Sequence, residues 1–120
     1  MRGILRSLVL GVLIGSLASC NGETAGSFSG RCSVSPNVSI LTGPETEALL
    51  DGTNRAKDAC VAAGQDCSRR IQHLRDGGIT ILVDVATWNE ESGQCTVALG
   101  SLAAYEYNAQ GKFLRQVLAI

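Results

Sequence analysis

Few side chains in this sequence carry chemistry, and their spacing narrows what they can do. Asp84 interrupts the apolar run "ILVDVA" on the side shared by Leu82 and Trp88. A carboxylate there is either a perturbed catalytic group or a mark of the solvent-facing side of a sheet. Glu90 and Glu91 are adjacent acids, but "NEESGQ" is a turn-forming stretch in which solvation explains them better than paired acid–base work. His73, the only histidine, follows Arg69 by four residues and neighbours Asp66, Arg70 and Asp76. That grouping reads as a solvated helix face, or as a contact for an anion or a lipid headgroup. Ser101 follows Gly100 without the Gly-x-Ser-x-Gly elbow of a hydrolase, and phosphate-loop and dinucleotide fingerprints are absent. The sequence therefore suggests no cofactor, no metal site and no catalytic set, and a chain that is not an enzyme.

The cysteines say more. Five are present, and the first, Cys20, ends the apolar stretch "LVLGVLIGSLASC" that follows Arg2 and Arg6. Charged residues followed by an apolar run of about ten residues form a secretory signal, because a spanning helix needs roughly 20. The tetrapeptide Leu17-Ala18-Ser19-Cys20 resembles the lipobox of bacterial lipoproteins. The resemblance implies cleavage before Cys20, with a diacylglyceryl group on its sulfur and an acyl chain on its nitrogen, more than the two hydrophobic signals that stable anchoring takes. Asn21, where Asp would resemble inner-membrane retention, implies an outer-membrane protein facing the periplasm. Over "GQCTVALGSLAAY" the chain also loosely resembles the Rcs-type envelope-stress sensor lipoproteins, without their long proline-rich tether.

Removal of residues 1–19 leaves one small domain with a formal charge of −3, which offers nothing to nucleic acid. Residues 20–31 read as the lipidated cysteine and a flexible Gly/Ser-rich tether, and residues 32–120 as a disulfide-stabilised domain. Within it, the alternation Val34, Pro36, Val38, Ile40 suggests an edge strand. Thr42-Gly43-Pro44-Glu45 is a capping box with proline in the first turn, so a helix starts there. Leu49, Ala56, Cys60, Ala63, Cys67, Ile71 and Leu74 form one helical stripe, ended by Asp76-Gly77-Gly78. Gly64 leaves a break near "AAGQD" open. "ITILVDVATW", "CTVALGSLAAYEYN" and "FLRQVLAI" then read as an antiparallel meander. The expectation is an α+β fold of order β-α-β-β-β: one long, possibly broken helix on a mostly antiparallel sheet of three or four strands.

Four cysteines remain for two disulfides, as expected of a small exported protein. On a continuous helix Cys60 and Cys67 stand about 10.5 Å apart along the axis, too far to bridge. Distances along the strands then favour Cys32–Cys67 and Cys60–Cys95, with a local Cys60–Cys67 bridge across Gly64 as the rival. If the helix covers Ile79, Ile81, Val83, Val85, Val97 and Leu99, alternation sends Leu82, Asp84, Trp88, Ala98, Gly100, Leu102 and Ala104 to the opposite side. Leu114, Leu118 and Ile120 can join them. An apolar face without a second helix reads as a surface for a protein partner or for self-association, with Leu82, Asp84, Trp88 and Leu102 at its centre. The alternatives are that the tether or edge strand folds over it, or that the sheet curls. The expected function is accordingly a lipid-anchored protein-binding module of the envelope (inhibitor or immunity protein, assembly factor or sensor). A structural envelope component is the alternative, and an enzyme of unknown reaction stands third.

Overall fold

A computed structural model describes the backbone of residues 26–119 and the side chains of all of these except 100, 101, 118 and 119. Cys20, Asn21 and the signal segment lie outside the described residues, as do the side chains of Gly100, Ser101 and Leu118 and the whole of Ile120. The fold is α+β: one helix packs on an antiparallel sheet, and two disulfides close it.

Helix α1 (Gly43–Ala63) begins as the sequence requires. The Thr42 hydroxyl accepts the Glu45 N–H at 3.2 Å, while the Glu45 carboxylate accepts the Thr42 N–H at 2.8 Å, so two otherwise unpaired donors of the first turn are satisfied reciprocally. Ala48, Leu49, Gly52, Ala56 and Cys60 form its buried stripe. The helix then ends eleven residues before Leu74. Gly64 takes a left-handed conformation at φ 70° and donates its N–H back to the Cys60 and Val61 carbonyls. A residue with a Cβ adopts that conformation only at a cost.

The chain turns there into strand β1 (Asp66–His73), followed by β2 (Ile79–Asn89), β3 (Gln94–Tyr107) and β4 (Phe113–Ala119). Their spatial order is their chain order. The segment "DCSRRIQH", expected as helix, is thus an edge strand, paired from Asp66 opposite Ala86 to His73 opposite Ile79. The expected first strand is absent. Val34–Ile40 is irregular apart from a 3-10 turn at Val38–Ile40, and Val38 and Ile40 are exposed. The order among the described residues is therefore α-β-β-β-β. The three later strands form the meander that their sequences suggest.

Cysteine pairing follows from the early helix end. Cys60 is joined to Cys67 across the Gly64 turn, with Cα atoms 6.2 Å apart, and Cys32 to Cys95, at 5.5 Å. The pairs Cys32–Cys67 and Cys60–Cys95 are overturned because they rested on a helix running straight through residue 67.

The core lies between α1 and one sheet face: Ala48, Leu49 and Ala56 meet Ile79, Ile81, Val83, Ala103, Tyr105 and Tyr107. Tyr107 is wholly buried and donates to Asp51 Oδ2 at 2.7 Å, which also accepts from Arg55 Nε at 2.6 Å. Burial, and then that hydrogen bond, push the Tyr107 hydroxyl far above its ordinary pKa. Burial works to raise Asp51, but the hydrogen bonds from Tyr107 and Arg55 outweigh it and leave the carboxyl below its ordinary value.

The Gly/Ser-rich segment is not a free tether over its described part. Gly26 is buried and donates to the Gln65 carbonyl, Ser27 accepts from the Cys67 N–H, and Val34 from the Arg69 N–H. Phe28 packs against the core. Residues 26–34 thus form a strap along the free edge of β1, and the domain starts well before Cys32. Arg69 fastens it: its guanidinium donates to Ser35 Oγ and to Thr53 Oγ1 of α1 and lies 5.3 Å from the Phe28 ring. Partial burial lowers its pKa from the ordinary arginine value.

Candidate functional site

Alternation along β2 sends Thr80, Leu82, Asp84, Ala86 and Trp88 to the sheet face away from α1. This face is not the open apolar surface expected. Asp84 is wholly buried, Leu102 nearly so, and Ala86 and Ala104 are buried as well. Only Leu82 and Trp88 of the expected binding centre keep partial exposure. Two features close the rest. The first is the strap: Asp66 Oδ2 accepts the Cys32 N–H at 2.9 Å, Ser68 Oγ accepts the Val34 N–H at 2.9 Å, and Cys32–Cys95 ties the strap across to β3.

The second is a bulge in β3. Val83 pairs with Ala103 and Val85 with Ala98, so residues 99–102 stand against Asp84 alone. The extra residues break the alternation of β3. Leu99, expected beneath the helix, is 69% exposed, whereas Leu102 is 8% exposed.

Asp84 does not mark a solvent-facing side. Arg70, from the same face of β1, donates to it from Nε at 2.8 Å. That hydrogen bond raises the Arg70 pKa. A buried carboxylate demands such a partner. Here the pair is structural. Arg69 and Arg70, adjacent in a strand, point to opposite faces, so the cluster expected around His73 does not form. His73 instead contacts Glu45 of the capping box. The Glu45 carboxyl is held below its ordinary pKa chiefly by the Thr42 backbone N–H and next by His73. Glu90 and Glu91 lie in the exposed β2–β3 turn, as expected. Among the described residues no group of three or more His, Cys, Asp or Glu is placed to hold a metal ion, and no helix is long and apolar enough to cross a membrane.

The end of the sheet around Trp88 is open. The last pair of β1 and β2 is Asp66 with Ala86, so Thr87–Asn89 run on with no β1 residue beside them. A cavity of ≈ 340 Å³ lies at this overhang, lined among others by Arg31, Gln65, Asp66, Thr87 and Trp88. The Arg31 guanidinium lies over the Trp88 ring, 4.3 Å from its centroid. Such a contact contributes about 0.5–1 kcal/mol at an exposed site. Gln65 Oε1 accepts the Thr87 hydroxyl at 2.7 Å.

Both halves of the Arg31–Trp88 pair are fixed from behind by one disulfide: Cys32 follows Arg31 in the chain, and Cys95 is the cross-strand partner of Trp88. Trp88 was legible in the sequence. Arg31, Gln65, Asp66 and Thr87 were not, because only the helix break and the Cys32–Cys95 bridge bring them together. No family model, curated protein or solved structure matches this chain.

Proposed function

We propose that this chain is a lipid-anchored lipoprotein of the bacterial cell envelope, held by Cys20 in the outer membrane and facing the periplasm, that works as a protein-binding module. Inhibition of an enzyme or toxin, assembly and sensing are the roles open to such a module. The anchor rests on the charged start, the short apolar run and Leu17-Ala18-Ser19-Cys20. The binding role rests on one observation. With Asp84, Ala86, Leu102 and Ala104 buried, a half-exposed tryptophan with an arginine stacked on it stands at the rim of an open cavity. Tryptophan and arginine are the residues most enriched among binding hot spots.

Two measurements test this. Cys20→Ala removes incorporation of a fatty-acid analogue and membrane retention; equal labelling of the variant rejects the anchor. In pull-downs from envelope extracts, a partner retained by the wild-type chain is lost with Trp88→Ala while the thermal transition changes little. A partner set identical for both proteins rejects the Trp88 surface.

A further inference from the structure

Resting on that reading, we infer that the Arg31–Trp88 cavity receives an acidic side chain of a partner peptide, with the Arg31 guanidinium as its carboxylate receptor. Among the described cations Arg31, Lys57, Arg69 and Arg75 have no carboxylate partner, and of these Arg31 is the one at the Trp88 cavity. Arg55, Arg70 and Arg115 each hold a carboxylate of this chain, at 2.6, 2.8 and 2.6 Å. Arg69 spends its donors on Ser35 and Thr53. Arg31 has neither among the described residues. Its only contact of this kind is the face of Trp88, and stacking occupies the guanidinium plane while leaving the N–H groups at its edge free. Those donors match the two oxygens of a carboxylate.

The surroundings favour a peptide over a simple anion. Asp66 shares the cavity and would repel a bare anion; its Oδ2 is engaged by the Cys32 N–H and its Oδ1 lies against Gly30. An acidic residue within a peptide brings with the carboxylate for Arg31 a backbone that a bare anion lacks. The overhanging edge of Thr87–Asn89 adds a stretch of β2 with no β1 residue alongside, where extended backbone fits in line with β1. The Cys32–Cys95 bridge holds the receptor in place before binding, so little ordering remains to oppose it.

Trp88 is the only tryptophan, so its fluorescence reports on this cavity alone. The full chain in detergent micelles is titrated with a capped hexaglutamate peptide, with capped hexalysine and inorganic phosphate as comparisons at matched ionic strength. The expected result is a saturable change in Trp88 emission with hexaglutamate only. Arg31→Ala weakens it roughly tenfold to a hundredfold, the loss expected for hydrogen bonds to a charged group, and Arg31→Lys, which keeps the charge but not the fork, weakens it less. Arg31 is exposed, so neither variant threatens folding. No saturable change, equal binding by Arg31→Ala, or phosphate binding as tightly as the peptide overturns the inference. Partner capture that depends on Trp88 without any hexaglutamate response also overturns it and leaves the proposed function standing. A hexaglutamate response that depends on Arg31, without Trp88-dependent capture, supports the receptor and rejects the function.

Discussion

Gly52→Ala tests how closely α1 is seated on the sheet. Glycine in a helix interior costs about 1 kcal/mol relative to alanine, so on local grounds the substitution stabilises. The packing opposes it. A Cβ at residue 52 falls 2.9 Å from Ile81 Cγ2, 3.1 Å from Ile81 Cβ and 3.3 Å from the Tyr107 hydroxyl oxygen. Carbon atoms rest at roughly 3.5–4.0 Å from one another. Ile81 is wholly buried on a central strand, and its branched side chain has little rotamer freedom with which to retreat. Overpacking costs about 1–3 kcal/mol, and two contacts on an enclosed residue place this site in the upper half of that range. The net expectation is a loss of about 1–2 kcal/mol, or a fall in Tm of roughly 4–16 °C for a domain of this size. Urea and thermal unfolding followed by circular dichroism measure it. Combining Gly52→Ala with Ile81→Ala should then cost less than the sum of the two, since the second change removes the obstructing methyl. A Gly52→Ala protein as stable as wild type, or strict additivity in the cycle, would refute the close seating.

Three further outcomes follow from the same geometry. Non-reducing peptide mapping yields Cys32 joined to Cys95 and Cys60 to Cys67; removing the former, which closes a separation of 63 residues, costs about 4 kcal/mol by chain entropy, against roughly 2.4 kcal/mol for the latter before the loss of its buried sulfurs is counted. Arg70→Ala leaves the buried Asp84 without its guanidinium and costs about 2–3 kcal/mol, below the full range for a broken buried pair because Arg70 is partly exposed; a change within 0.5 kcal/mol, roughly the noise of surface substitutions, would show that the pair is dispensable. Glu45 and Asp51 both have depressed folded pKa values, so the unfolded chain binds more protons in acid. Their stabilisation is present above the ordinary carboxylate range and is lost as pH falls from that range through the lowered folded values; Glu45→Gln flattens that slope in acid unfolding curves.

The elements fixed by local chemistry were legible in the sequence. The capping box Thr42/Glu45 and the β-branched run of β2 each carry a signal that tertiary contacts do not alter, whereas Asp76-Gly77-Gly78, expected to end the helix, turns β1 into β2. β1 was masked by coincidence. Cys67 and Ile71 extend the stripe begun by Leu49 and Cys60, while the inward position between them holds Arg69, whose charge hides the alternation of a strand. Val38 and Ile40 continue the alternation of Val34 yet join no strand, because the edge of β1 bonds Ser27 and Val34 and offers no longer ladder. The β3 bulge left a fainter signal: Gly100 within the strand pattern is of the kind that marks a bulge, but only the register of residues 99–102 against Asp84 shows how many are surplus. The expected binding face failed through these two errors together, one missing the strap and the other the bulge.

The pinning of Gly26 sets a leash. Its N–H is bonded to Gln65, a residue of the cavity wall, and it packs against Cys60 and Val61 at the end of α1. With Cys20 lipidated as proposed, six residues separate the bilayer from that fixed point, at most about 20 Å of extended chain. The cavity therefore cannot sweep the periplasm. On that proposal it stays near the headgroups, and what it meets would itself come to the membrane: a bilayer-bound protein, or one passing through the layer. Lengthening the stretch before Gly26 would widen the zone patrolled without touching the site, so anchor length and binding strength can be varied independently.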